Sequence, residues 1–302
     1  MTKNLKYFLA AFVLSFSFLG GINIFQKNLE KFFYFQISPS FQTANLSLAL
    51  QRPQKAPLKL NAEAALSLRI KQNGAKSPLF KKNIQESLPI ASLTKIMTAA
   101  VVLEDLRYDI ENGSVFVSPE AAAQGDVPHL GNLNSEVGKK IPIKRLLELM
   151  LSYSSNDAAF ALSEVVRTED FIEKMNERAK TLGMTNTRFI NPHGLDFQGE
   201  YSNYSTAQDM AKLTEEAIKN HSPIFELSLK SAPESVENGI SELILKPNQE
   251  MLGGKTGFTK EARGSILIVF KDKSGNIFIN IILGAESEEA RIEEMQKLIN
   301  WL

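Results

Sequence analysis

Gly264-Ser265-Ile266-Leu267-Ile268-Val269-Phe270, a turn at Lys273-Ser274-Gly275, and Ile277-Phe278-Ile279-Asn280-Ile281-Ile282-Leu283 form the stretch whose reading decides the fold. Each run is short and rich in β-branched residues, and each is apolar almost throughout, as a strand covered on both faces is. With the Ser-Gly turn between them, the two runs predict a hairpin of buried strands. Far upstream, Ala64-Ala65-Leu66-Ser67-Leu68-Arg69-Ile70 alternates and reads as another strand. The chain between is helical in period. One helix opens at Ser92 and runs through Ile96, Ala99, Ala100 and Leu103. A second starts at Pro142, at home in a first turn, with Leu146, Leu147, Met150 and Leu151 as its apolar face. Further helices are predicted over Ala158 to Val165, Phe171 to Leu182 and Ser205 to Ile218, and a last one over Glu288 to Leu302. Strand first, helices in the middle and hairpin last predict an α/β fold. Its antiparallel sheet takes its first strand from the N-terminal side.

The first of these helices carries chemistry. In Ala91-Ser92-Leu93-Thr94-Lys95-Ile96-Met97-Thr98-Ala99, Lys95 follows Ser92 by three positions, so its amine and the hydroxyl share one helical face. Serine is a poor nucleophile until a base takes its proton, and lysine is that base only if its pKa is driven down by burial or a second cation. Alone, this S-x-x-K pattern has an ordinary explanation, a capping serine followed by a surface lysine. Ser154-Ser155-Asn156, on the turn after the second helix, would by itself be read as helix caps, and Lys255-Thr256-Gly257 as a turn with a solvated lysine. In this order, roughly 60 and 100 residues apart, the three make a recognised set.

From about Ala62 to Leu302 the chain resembles the low-molecular-mass penicillin-binding proteins, the D-alanyl-D-alanine carboxypeptidase family of serine peptidases. The likeness extends to Gly183-Met184-Thr185-Asn186-Thr187-Arg188-Phe189, Asn191-Pro192-His193-Gly194-Leu195-Asp196 and Tyr204-Ser205-Thr206-Ala207-Gln208-Asp209-Met210-Ala211. It implies a β-lactamase/transpeptidase-like fold, an antiparallel sheet covered by helices with an inserted all-helical lobe and the groove between them. The implied substrate is a peptidoglycan stem peptide ending in D-Ala-D-Ala, with β-lactams as inhibitors and no cofactor. Ser92 would be the nucleophile and Lys95 its base, with Ser154 relaying a proton to the leaving amine. Asn156 would hold a substrate amide. Lys255 and Thr256 would bind the terminal carboxylate, Lys255 also keeping Lys95 partly neutral. The backbone N–H groups of Ser92 and Phe258 would receive the oxyanion, Gly257 would leave room along the strand edge, and Arg291 would help bind the carboxylate. His193, in a turn sequence, is read equally as structural or as supporting the site.

The chain departs from the family pattern at Phe258, where a polar residue is usual. It also departs in the short segment from Leu245 to Gly254, and neither a second β-rich domain nor a C-terminal anchor is expected from its sequence. An endopeptidase cutting D-alanyl cross-links would use the same residues, and that reading stays open. A β-lactamase is disfavoured because no E-x-x-L-N segment lies between the second and third motifs. A silent peptidoglycan-binding module is disfavoured by intact Ser92, Lys95 and Lys255.

The remainder of the 302 residues narrows the class. With 34 basic and 34 acidic residues the chain has no global pull towards nucleic acid, and 43 % hydrophobic content supports a sizeable core. No cysteine is present, so no disulfide or thiolate metal site is expected, and His129, His193 and His221 form no H-E-x-x-H helix; no metal is expected. Lys3 and Lys6 precede an uncharged run from Tyr7 to Phe25, 19 residues, close to the ~20 that cross a bilayer. Residues 1–31 are therefore expected to be a signal anchor, or a signal peptide cut near Gly20-Gly21. Residues 32–61, rich in Ser, Pro and Gln after an aromatic patch at Phe32 to Phe35, are expected to be a linker, and residues 62–302 the catalytic domain. The expected location is the cell envelope, outside the cytoplasm, held to the membrane by residues 7–25.

Overall fold

A computed structural model describes residues 22, 25–29, 56–105, 109–125, 131–196, 202–229 and 240–302. The chain divides into two units, Met1–Pro57 and Leu58–Leu302. All of the predicted membrane segment except Ile22 and Phe25, the signal cleavage point and most of the predicted linker lie outside the described residues. Among the described residues no helix is long and apolar enough to cross a membrane.

The second unit is built on a five-stranded antiparallel sheet in the order β2-β1-β9-β8-β7. Its strands are β1 (Ala64–Ile70), β2 (Lys76–Lys82), β7 (Gln249–Thr259), β8 (Arg263–Asp272) and β9 (Ile277–Ala285). The hairpin read from the sequence is β8 and β9, and β1 pairs with β9 through Ala64↔Leu283 and Ile70↔Ile277. The N-terminal strand therefore closes the sheet against the chain's last strand.

The unbroken apolar runs have a direct physical cause. Side chains alternate between faces along a strand, and here both faces are covered. Ile266, Ile268, Phe270 and Ile282 pack with Met295, Leu298 and Ile299 of the last helix, α7 (Glu288–Trp301). Leu267, Val269, Ile279, Ile281 and Leu283 face the larger core shared with the other helices. Phe270 and Phe278, opposite each other in the ladder, stack with ring centroids 4.9 Å apart.

β2 was not foreseen. Its sequence, Lys76-Ser77-Pro78-Leu79-Phe80-Lys81-Lys82, has the lysines and proline of a guarded edge strand, which hide the alternation that marks a strand. The opposite edge, β7, has no strand beyond it among the described residues, and its Lys255–Phe258 stretch borders the groove.

Between β2 and β7 lie α1 (Thr94–Glu104), α2 (Ile143–Ser152), α3 (Asn156–Glu164), α4 (Thr168–Thr181), α5 (Ala207–Asn220) and α6 (Pro223–Ser228). Two-stranded pairs, β3 (Leu88–Pro89) with β6 (Tyr204–Ser205) and β4 (Ser114–Phe116) with β5 (Lys140–Pro142), join them. The α-helix expected from Ser92 begins two residues late. Residues Ala91–Leu93 form a tighter 3₁₀ turn, and the α-helix proper starts at Thr94. α1 is buried on almost every side, with Lys95, Ile96, Met97, Ala99 and Ala100 all inside, so it shows no polar face. α2 ends at Ser152, and Ser155 caps α3 by accepting from the Ala158 N–H at 3.0 Å, so the S-x-N triplet does sit on an interhelical turn.

Candidate active site

Three pieces of backbone meet in a cleft of about 320 Å³: the 3₁₀ turn with Ser92, the turn with Ser154 and Asn156, and the edge strand β7 with Lys255, Thr256, Gly257 and Phe258. Two residues there hold left-handed backbone without being glycine, Ala91 at φ 45° and Ser154 at φ 61°. Such conformations cost of order 1–3 kcal/mol each and persist where surrounding contacts impose them. Both adjoin the hydroxyls that the motifs single out.

Lys95 is completely buried. Its Nζ lies 2.9 Å from Ser92 Oγ, 2.7 Å from Asn156 Oδ1 and 2.7 Å from the backbone carbonyl of His193. The last two partners are carbonyl oxygens and can only accept. A neutral amine has two N–H bonds and one lone pair. If those oxygens take the two N–H bonds, the lone pair is left for the Ser92 hydroxyl.

Lys255 stands across the cleft, donating to Ser154 Oγ at 2.8 Å and to its neighbour's carbonyl, Thr256 O, at 2.9 Å. Its pKa is held well below the ordinary lysine value, first by burial, then by repulsion from Lys95 and from Arg291. Gly257 presses against the turn that carries Ser92. A Cβ built there would lie 2.9 Å from the Ser92 nitrogen and 3.0 Å from Ala91 Cβ, so only glycine lets the strand come this close.

The turn Asn191–Leu195 backs the site. Asn191 Oδ1 accepts from the Gly194 N–H at 2.6 Å, and Thr98 Oγ1 donates to the Pro192 carbonyl at 2.6 Å. Gly194, at φ +91°, passes so close to the Ala91 carbonyl that a side chain would collide with it at 1.9 Å. Buried Asn203 ties these parts together: Nδ2 donates to Thr94 Oγ1 and to the Asn191 carbonyl, each at 2.9 Å, and Oδ1 accepts from the Ile190 N–H at 2.7 Å. The ring of His193 is buried too. Its Nδ1 accepts from the Leu195 N–H at 3.1 Å, and burial followed by the nearby Lys95 charge lowers its pKa to about 3.

With fold and cleft in view, comparison with known proteins is decisive: the sequence profile of the D-alanyl-D-alanine carboxypeptidase family matches residues 51–287. The chain belongs to that family. It is 35 % identical over 234 residues to D-alanyl-D-alanine carboxypeptidase DacC of Escherichia coli, covering 74 % of this chain and 57 % of that protein. It is 28 % identical over 270 residues to a D-alanyl-D-alanine endopeptidase of Pseudomonas aeruginosa, covering 83 % of this chain and 81 % of that protein. Among solved structures, penicillin-binding protein D2 of Listeria monocytogenes, in its cefotaxime-bound form, superposes with a TM-score of 0.68 at 29 % identity, covering 82 % of this chain and 98 % of that one. The chain spans 58 % and 57 % of the length of two curated carboxypeptidases that it matches. The fold is the β-lactamase/transpeptidase-like fold of penicillin-binding proteins.

In this family chain the cleft brings together every side chain that the motifs singled out. Ser92, Ser154, Asn156, Lys255, Thr256, Gly257, Phe258 and Arg291 all line it, and Lys95 lies beneath Ser92. Two have partners that the sequence did not suggest. Asn156 turns its carbonyl oxygen to Lys95, and Arg291 donates through Nη1 to the Gly257 carbonyl at 3.0 Å. The supporting residues Thr98 and Asn203 were missed. Their only sequence signal is polarity inside a helix and beside a short strand, and the His193 contribution is a backbone oxygen that no side-chain motif can announce.

Proposed function

We propose that the unit is a serine-type D-Ala-D-Ala carboxypeptidase acting on peptidoglycan stem peptides. The observation that carries this reading is the pairing of each hydroxyl with a buried amine: Ser92 with Lys95 at 2.9 Å and Ser154 with Lys255 at 2.8 Å. Ser92 Oγ attacks the carbonyl carbon of the penultimate D-alanine while its proton passes to Lys95 Nζ. The negative charge that develops on the carbonyl oxygen is received by the backbone N–H groups of Ser92 and Phe258. One such donor is typically worth ~3 kcal/mol of activation energy. The C–N bond then breaks, and the departing amine takes a proton relayed through Ser154 from the Lys95 side of the cleft. Water attacks the resulting ester, Lys95 again takes the proton, and Ser92 is regenerated.

The remaining residues bind and orient. Lys255 and Thr256 receive the terminal carboxylate, and Asn156 orients the peptide through its side-chain amide. Gly257 lets the peptide lie against the free edge of β7 as an added strand. A β-lactam presents its ring carbonyl where the scissile carbonyl would be and acylates Ser92. The division into an N-terminal membrane-directing segment, a linker and a catalytic domain from residue 62 belongs to the same proposal. So does anchoring of residues 7–25 in the membrane with the catalytic domain in the cell envelope.

A fluorescent penicillin should label the wild-type protein covalently, and Ser92→Ala should fold normally and take no label. Equal labelling of the variant would remove Ser92 as nucleophile. Cleavage of D-alanyl cross-links is the second reading, favoured by the match to a protein named an endopeptidase along 81 % of its length. Mass spectrometry of muropeptides separates the two: pentapeptide shortened to tetrapeptide means carboxypeptidase, dimers falling to monomers mean endopeptidase.

A further inference from the structure

Arg291 is occupied before any substrate arrives. Its Nη1 donates to the Gly257 carbonyl at 3.0 Å and its Nη2 pairs with Glu288 Oε2 at 3.0 Å, one turn earlier on α7. Both residues line the cleft beside Lys255 and Thr256. A carboxylate grips a guanidinium best with two parallel N–H bonds, and here two of the guanidinium's N–H groups are already taken.

The two partners of Arg291 differ in how readily they yield. Gly257 is backbone within the sheet and cannot leave. The Arg291 side chain, 7 % exposed, is equally fixed, whereas that of Glu288 is 54 % exposed and can turn out into water. We propose that Glu288 is a specificity-determining residue: it competes with a substrate's free carboxylate for Arg291. It thereby weighs against peptides that end one residue after the scissile bond in a free carboxylate, relative to peptides in which that residue carries an amide or a further chain. This inference rests on the D,D-peptidase reading and on the carboxylate lying at the Lys255–Arg291 end of the cleft. Arg291 itself then has two tasks, holding the Gly257 carbonyl at all times and meeting a carboxylate only when Glu288 has swung away.

The test uses one N-acylated tripeptide ending in D-Ala-D-Ala in two forms, free acid and C-terminal carboxamide, and follows kcat/KM for cleavage of the last peptide bond. Glu288→Gln should raise the acid-to-amide ratio about fivefold, the scale of a half-exposed ion pair. Loss of a first-turn acid also weakens the start of α7 slightly, so Glu289→Gln serves as the control. Glu289 accepts from the Ser287 hydroxyl at 2.7 Å and acts on Arg291 through charge without a direct contact among the described residues, so its substitution should move the ratio clearly less than Glu288→Gln does. A ratio unmoved or lowered in Glu288→Gln, in protein that penicillin still labels, overturns the role of Glu288 and leaves the catalytic assignment standing. An equal rise in both variants also overturns it, because general loss of negative charge then explains the effect. Absence of label and of cleavage in the wild type would instead overturn the D,D-peptidase reading.

Discussion

Lys255 Nζ donates to Ser154 Oγ across 2.8 Å, joining the free edge of the sheet to the turn between α2 and α3. The residues are 101 positions apart, and the bond lies inside the cleft with Lys255 only 4 % exposed. In the proposed mechanism, where Ser154 carries a proton towards the leaving amine, this bond would give Lys255 a part beyond its charge.

The pKa of Lys255 is lowered first by burial, and then by the charges of Lys95 and Arg291. The same repulsion acts on Lys95. Lys255→Gln should therefore make Lys95 hold its proton more tightly, and because only the neutral amine can accept from Ser92, acylation should require a more alkaline pH. Loss of the carboxylate partner lowers the whole rate as well. Acylation by a fluorescent penicillin, followed across pH, separates the effects: a lower curve reports binding, and an acidic limb moved upward in pH reports the lost cation. A limb that stays in place would confine Lys255 to binding.

Gly257→Ala should damage acylation without unfolding the protein. The added methyl meets the Ser92 nitrogen at 2.9 Å and the Ile90 carbonyl at 3.2 Å, both backbone, so β7 must move outward from the nucleophile. Overpacking of this kind costs about 1–3 kcal/mol of stability. Displacing the strand also misplaces an oxyanion donor, for which a loss of about 10²–10³ in rate is typical. Stopped-flow acylation and a melting curve on the same sample check both figures. A fall in stability with no change in acylation would show that the strand edge takes no part.

His193 should make the protein sensitive to mild acid. Its folded pKa, about 3, lies below the ordinary 6.5, so between these values the unfolded chain binds a proton that the folded chain refuses. Stability from this source is complete above about pH 6.5 and is lost as pH falls towards 3, on the order of 4 kcal/mol in all. Protonation would also break the bond from the Leu195 N–H to Nδ1, measured at 3.1 Å. His193→Asn keeps an acceptor and does not titrate, so its melting temperature should fall less than that of the wild type between pH 7 and pH 4. Parallel curves would mean that His193 is already protonated, or reachable by water, in the folded state.

Much of this was legible in one dimension because the signals are local. A strand buried on both faces must be apolar at every position, which is why β8 and β9 could be read from Gly264 to Leu283 almost to the residue. An amine and a hydroxyl three positions apart must share a helical face, which made Ser92 and Lys95 readable as a pair. Order and spacing of the three motifs then pointed to the family. β2 escaped because an edge strand is protected by the charge and proline that disguise it.

The sequence by itself thus determined the strands of the central hairpin, the motif residues that meet in the cleft and the family. Tertiary structure alone decided how those groups are wired. Asn156 faces Lys95, a backbone oxygen of His193 takes a further bond from that lysine, Lys255 pairs with Ser154, and Glu288 holds Arg291 in advance. The reason is geometric. Except for the one-turn Glu288–Arg291 pair, these partners come from segments 61 to 101 residues apart, and hydrogen bonds depend on separations of a few tenths of an ångström, which no local pattern of residue types encodes.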